Sequence, residues 1–135
     1  MWSFFLRITL IEGVGQSLRI ERLKKSTDFQ KVFDARRSFP GRLIVLHAVE
    51  NGLEYCRVGF TAGKKSFGNA VNRNRGKRRL KECFRQQKIS PNIGYDIIVV
   101  GRSAMIDADY QELYVSMRKV LKKSGVISSS NDEKK

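Results

Sequence analysis

Between Lys64 and Arg85 the chain places nine basic residues and one acidic residue in 22 positions, and the same stretch holds Leu80, Cys83 and Phe84 at helical spacing. At about 100° per residue those three apolar side chains share one face, with Arg75, Arg78 and Arg85 opposite them. Arg79 and Lys81 fall on the flanks. Arg73 and Lys77 lie nearer the apolar side, where their stems can cover apolar surface while the charged heads reach water. Such a helix is too polar to be buried all round and too apolar on one side to stand alone. It must be anchored to a packed element and must present a cationic ridge outward. A merely solvated basic face is the alternative reading of this segment.

The segment contributes +8 of a net +14 that arises from 27 Lys and Arg against 13 Asp and Glu. A single folded domain carrying that charge repels itself, and a polyanion relieves the repulsion. Guanidinium forks pair bidentately with phosphate and stack on bases, and Asn74 can both donate to and accept from a ribose or base edge. The ridge suits an RNA or a DNA backbone equally. A membrane surface fits less well, because no long basic helix with a wide apolar face accompanies it.

With 135 residues, 41% of them apolar, the chain can form one domain around one core. Cys56 and Cys83 are far apart, lack C-x-x-C spacing and are accompanied by a single His, which argues against a zinc site. Reduced, buried thiols are the expectation, in keeping with a cytoplasmic protein. The apolar stretch 1–14 is interrupted by Arg7 and Glu12, lacks a basic lead and is too short to span a bilayer. Residues 1–20 are expected to be a poorly ordered extension, 21–125 the domain, and 126–135 a disordered polar tail.

Along the domain, Phe29, Val32 and Phe33 define a helix over 27–35, with Thr27 and Gln30 at capping-box spacing. Residues 43–49 read as a strand, Asn51-Gly52 as a tight hairpin, and 55–62 as the returning strand. In the latter, Val58, Phe60 and Ala62 alternate with Arg57, Gly59 and Thr61. The continuous apolar run 95–100 suggests a strand covered on both faces. A last helix starts near Asp109, with Glu112 placed for a capping box, Tyr110, Leu113, Met117, Val120 and Leu121 as its apolar face, and Gly125 as its stop. The order α-β-β-α-β-α predicts one sheet with helices packed on it.

Phe29 and Phe33 read most simply as core residues; the functional alternative is a groove in which unpaired nucleotides stack. His47, mid-strand among aliphatics, reads as a sheet histidine. No nucleophile elbow, carboxylate pair or metal-ligand cluster is visible, so no catalytic and no metal-binding residue is assigned to the protein.

Taken in order, Leu23-Lys24-Lys25-Ser26-Thr27-Asp28-Phe29-Gln30-Lys31-Val32-Phe33, then Arg57-Val58-Gly59-Phe60-Thr61 with Lys64-Lys65, resemble the bacterial ribonuclease P protein component. Gly68-Asn69-Ala70-Val71, Arg73-Asn74-Arg75 and Lys77-Arg78-Arg79 are similar to that family's signature, and 95–100 with Arg102 to its following strand. The likeness spans roughly 23–123. It implies an α+β fold: an α/β sandwich with a four-stranded mixed sheet and three helices, ribosomal protein S5 domain 2-like. It also implies a left-handed β-α-β crossover, where chain physics alone favours a right-handed one.

The resemblance further implies a subunit that assists Mg²⁺-dependent removal of the 5′ leader from precursor tRNA, with catalysis and most of the Mg²⁺ belonging to the RNA. Lys64, Lys65, Asn69, Arg73, Asn74, Arg75, Lys77, Arg78 and Arg79 would bind the catalytic RNA. Phe29, Phe33, His47 and Arg57 would line a cleft for the leader, His47 standing where relatives often carry Tyr. One protein per RNA and no membrane partner are implied. Where relatives often have Gly after the first helix, this chain reads Asp34-Ala35-Arg36-Arg37. The rivals are a nucleic-acid-binding module without a processing role, such as a ribosomal protein, and a protein-only nuclease, which would need clustered carboxylates.

Overall fold

The computed structural model describes residues 18–127. Its strands are β1 (Ile20–Arg22), β2 (Ser38–Pro40), β3 (Ile44–Glu50), β4 (Cys56–Ala62) and β5 (Tyr95–Gly101). Its helices are α1 (Ser26–Asp34), the single turn α2 (Lys64–Phe67), α3 (Ala70–Gln86) and α4 (Tyr110–Ser124), with a 3₁₀ turn at Ser103–Met105. They form one mixed sheet in the order β1-β4-β5-β3-β2. The α+β class and the mixed sheet agree with expectation. The strand count is five, not four, because β1 and β2 are three-residue edge strands, too short to show a period-two pattern. The helix count is four, not three, because α2 is a separate turn ahead of α3.

The expected hairpin between β3 and β4 does not form. β5 inserts between them, antiparallel to β3 and parallel to β4. Asn51 instead organises an open loop, its amide donating to the Tyr55 carbonyl at 3.2 Å and to Asp96 at 2.8 Å, its oxygen accepting from the Leu53 N–H at 2.8 Å. The centre of a sheet has both faces covered, and Ile97, Ile98 and Val99 are fully buried there, as the unbroken apolar run requires.

The two faces are covered unequally. Ile44, Leu46, Val58, Ile97 and Val99 meet Leu80, Cys83 and Phe84 of α3 and Leu113, Met117, Val120 and Leu121 of α4 in the main core. Each such side chain contributes about 1.5–3 kcal/mol by leaving water. The other face carries only the nine-residue α1, where Leu23, Val32 and Ile98 form a small second cluster edged by half-buried Phe29, Phe33, Val49 and Val100. With one short helix on this face, the rings at its margin stay half-buried.

Helix ends divide by local chemistry. α4 has the expected capping box between Asp109 and Glu112 and ends at Gly125 in the left-handed conformation, φ 88°. Tyr110, expected on its apolar face, is exposed in the first turn instead. The capping box expected at Thr27 and Gln30 is absent: α1 begins after Lys25 without a side-chain cap, and Gln30 donates to Asp34 at 2.9 Å. After α1, Arg36 takes φ 57°, a left-handed turn.

The expected domain edges move outward. The Leu18 N–H donates to the Pro91 carbonyl at 2.8 Å, Ile20 lies in β1, and Val126 is buried against the core, so 18–20 and 126–127 join the domain. The expectations for residues 1–17 and 128–135 lie outside the described residues.

Candidate nucleic-acid interface

The basic helix is fixed from below before it offers anything outward. Leu80 and Cys83 are fully buried, and Phe84 meets Phe60 edge to face at 5.6 Å. A second anchor lies one turn earlier. A Cβ on Gly76 would lie 2.7 Å from Cε2 of Phe67, so the bare glycine backbone is what lets α2 nest against α3. Asn69 caps α3, its side-chain oxygen accepting from the Asn72 N–H at 2.9 Å.

On this base, Asn74, Arg75, Lys77 and Arg78 are exposed and make no hydrogen bond or ion pair among the described residues. Lys64 and Lys65 stand exposed on α2 just ahead of them. Arg75 and Arg78 face outward as the helical wheel expected, and Asn74, Lys77, Lys64 and Lys65 extend that surface. Arg73 is partly engaged, donating to the Gly68 carbonyl at 3.1 Å. Arg85, opposite the apolar face as expected, is paired with Glu82 at 2.7 Å.

Arg79 departs from expectation. Its guanidinium donates to the carbonyls of Met105 at 2.8 Å and Ala108 at 2.7 Å, binding α3 to the turn before α4. It is a strut, not part of the ridge. Its partners lie 26 and 29 residues away, beyond the reach of a helical wheel.

On the opposite face, the four residues expected in the cleft come together around α1. Phe33 meets the His47 ring edge to face, centroids 4.8 Å apart at 81°. Phe29 meets Gly59 with the tip of its ring: a Cβ there would stand 2.8 Å from Cε2 and closer still to Cζ. Both rings are half-buried. His47 Nδ1 is buried with no partner among the described residues, and burial pushes the imidazole pKa down from 6.5. Burial therefore favours the neutral form of the ring.

Arg57, expected in the cleft, is fully engaged by carboxylates. Its Nε and one terminal nitrogen donate to the two Asp96 oxygens at 2.9 and 2.6 Å, and the other terminal nitrogen pairs with Asp28 at 3.3 Å. The Asp96 hydrogen bond holds its pKa above the ordinary arginine value. Asp28 lies in the first turn of α1, so this pair clamps α1 to β4 and sets the tilt of Phe29 and Phe33 above the sheet.

No group of three or more His, Cys, Asp or Glu that would hold a metal ion stands together among the described residues. No described helix is long and apolar enough to cross a membrane.

Comparison with known proteins agrees with this geometry. Residues 18–125 match the family model for ribonuclease P. The chain is 41% identical over 111 residues to a ribonuclease P protein component of Alkaliphilus oremlandii, covering 82% of this chain and 96% of that one. It is 40% identical over 106 residues to one from a Thermoanaerobacter species, covering 78% and 90%. Among solved structures, the Staphylococcus aureus RNase P protein superposes with TM-score 0.68 at 34% identity, over 79% of this chain and 97% of that one. The Thermotoga maritima RNase P protein gives 0.66 at 30%, over 76% and 96%. A basic helix anchored on a mixed sheet, half-buried aromatic rings on the far face and a match running through both place this chain in the ribonuclease P protein component family.

Proposed function

We propose a division of labour between the two surfaces of this subunit of the ribonucleoprotein that matures tRNA 5′ ends. The holoenzyme is an endoribonuclease whose RNA subunit carries out the cleavage, and the protein works with that RNA and with precursor tRNA. The ridge of α3, with Lys64 and Lys65, docks on the catalytic RNA. Its unpartnered cations displace counterions from phosphates, so docking weakens as salt rises. Asn69, Arg73 and Asn74 add directional hydrogen bonds at the same surface. Arg79 and Arg57 act one step back, holding α3 and α1 in place.

The cleft beside α1 takes the single-stranded 5′ leader. Half-buried aromatic rings can stack unpaired bases without demanding a sequence. Phe29, Phe33 and the neutral His47 supply such rings, and Arg57 fixes their frame. Precursor, which has a leader, then binds better than the mature product, which has none. The Mg²⁺ required for hydrolysis is carried mainly by the RNA, one protein serves one RNA, and buried, unpaired Cys56 and Cys83 suit the cytoplasm.

The observation that carries this reading is the row Asn74, Arg75, Lys77 and Arg78, free of partners among the described residues on a helix whose other side is locked into the core. The test is cleavage of precursor tRNA with and without the cognate catalytic RNA at low Mg²⁺. Cleavage should need the RNA, and the protein should lower the Mg²⁺ requirement. Phe33→Ala should weaken precursor binding by about 1–3 kcal/mol, the worth of one stacked base, and leave mature tRNA affinity unchanged. Equal losses for both would remove the leader from the cleft.

A further inference from the structure

Asp96 is the one buried carboxylate among the described residues, 6% exposed. A lone charge there would be costly, and three donors answer it. Arg57 donates from Nε at 2.9 Å and from a terminal nitrogen at 2.6 Å, and the Asn51 amide donates at 2.8 Å. The two parallel Arg57 bonds fix the plane of the guanidinium as well as its position.

Strand register sets where this hub stands. Arg57, Asp96 and Val49 are paired neighbours across β4, β5 and β3, and Gly59, Ile98 and His47 form the next row two residues along. The second row is the one that meets the rings, Phe29 at Gly59 and Phe33 at His47. Two residues along a strand span about 6.6 Å, so the hub lies one side chain away from the floor under the rings. From it Arg57 reaches Asp28 at 3.3 Å, the residue before Phe29 in α1. On the other side Asn51 joins the hub to the loop 51–55, holding the Tyr55 carbonyl and the Leu53 N–H, and its own N–H donates to the Gly94 carbonyl at 3.0 Å. A Cβ on Gly94 would collide with the Leu53 carbonyl and the Asn51 side-chain oxygen, so this loop is closed down on the start of β5.

We infer that Asp96 is a positioning residue for precursor recognition, acting through Arg57 on Asp28 and so on the angle at which α1 carries Phe29 and Phe33 over the sheet. This rests on the leader reading of the cleft. Asp96 touches no substrate itself; its three bonds go to the protein's own donors. Asp96→Asn keeps the size of the side chain but turns an N–H toward one of the two Arg57 donors. Arg57 then keeps one bond to residue 96 and the longer Asp28 contact, its plane is no longer fixed, and α1 loses its set tilt.

The test is a double-mutant cycle in holoenzyme assembled with the cognate RNA, titrated with precursor and with mature tRNA. Asp96→Asn and Asp28→Asn should each weaken precursor binding by about tenfold, within the worth of one stacked base. Affinity for mature tRNA and for the catalytic RNA should not change, and KM for precursor should rise with kcat unaltered. Because both variants cut one relay, the pair together should bind precursor within about twofold of the weaker single variant. Asn51→Ala removes one donor from the hub and should cost about threefold, a loss that disappears in the Asp28→Asn background. Val120→Ala, in the main core on the other face, should lower Tm and keep the preference for precursor. Losses that multiply to about a hundredfold in the Asp96–Asp28 double variant overturn the relay. So does an Asp96→Asn chain that weakens precursor and mature tRNA alike, or one that lowers Tm as Val120→Ala does and keeps its preference. Should Asp96→Asn not fold, the Asn51–Asp28 cycle decides by the same criterion. A wild type that does not prefer precursor over mature tRNA overturns the cleft reading itself, and is read in the same titration.

Discussion

Gly59→Ala is a sharp perturbation because it adds one methyl group at the point where α1 rests on the sheet. The new Cβ would stand 2.8 Å from Cε2 and 3.2 Å from Cε1 of Phe29, and nearer still to Cζ. Carbon pairs settle at about 3.5–4.0 Å, so the ring must retreat by about 1 Å or more. It cannot retreat alone, since α1 is clamped by the Asp28–Arg57–Asp96 contacts. Overpacking of this kind costs about 1–3 kcal/mol. For a domain of this size each kcal/mol lowers Tm by about 4 °C.

The same displacement lifts Phe29 out of its cleft position, and precursor affinity should fall by about 5–150-fold, the equivalent of one stacked base. Calorimetry of the free protein and binding titration of the holoenzyme read the two effects separately. In the Phe29→Leu background the smaller side chain makes room, so the added methyl should cost less in both assays. An alanine at position 59 that costs as much in that background as in the wild type would refute the steric argument.

Other expectations follow from partner lists and burial. Arg75→Ala and Arg78→Ala should each make the salt dependence of catalytic-RNA binding shallower by about one unit of slope without lowering Tm. Arg79→Ala should do the reverse, losing about 2–3 kcal/mol of stability with its two carbonyl partners and leaving the slope unchanged. Because burial holds the His47 pKa below 6.5, the unfolded chain takes up a proton first as pH falls. Stability from this group is complete above about 6.5 and declines below it, so urea midpoints of His47→Gln should fall less between pH 7 and 5 than those of the wild type. Burial pushes the Cys83 thiol up to about 11, and an alkylating reagent at pH 8 should modify it only after denaturant is added.

What was legible in the sequence was local. The capping box at Asp109 and Glu112, the stop at Gly125 and the anchor Leu80, Cys83 and Phe84 depend on spacings of a few residues, and each appears where expected. Asn51-Gly52 shows the limit of such signals. It marks a reversal of the chain but carries no information about a third strand entering between the two it joins. That information lay in the unbroken apolar run of β5, which only a central position explains. The site divides in the same way. The helix periodicity gave the free face of α3, while the engagements of Arg79 and Arg57 depend on groups 26 to 39 residues distant. β1 was hidden because three residues paired to a remote strand leave no pattern of their own.

The late arrival of β5 also has a consequence for how the chain reaches its native state. β3 and β4 are made first during synthesis, yet each pairs natively with a segment that ends at Gly101. Until that segment leaves the ribosome, β3 has its native partner β2 and β4 its native partner β1, but nothing joins the two pairs. The edges of the sheet are therefore available before its centre, and the pairings that unite them span long stretches of sequence. Pairings of that kind raise contact order and slow folding.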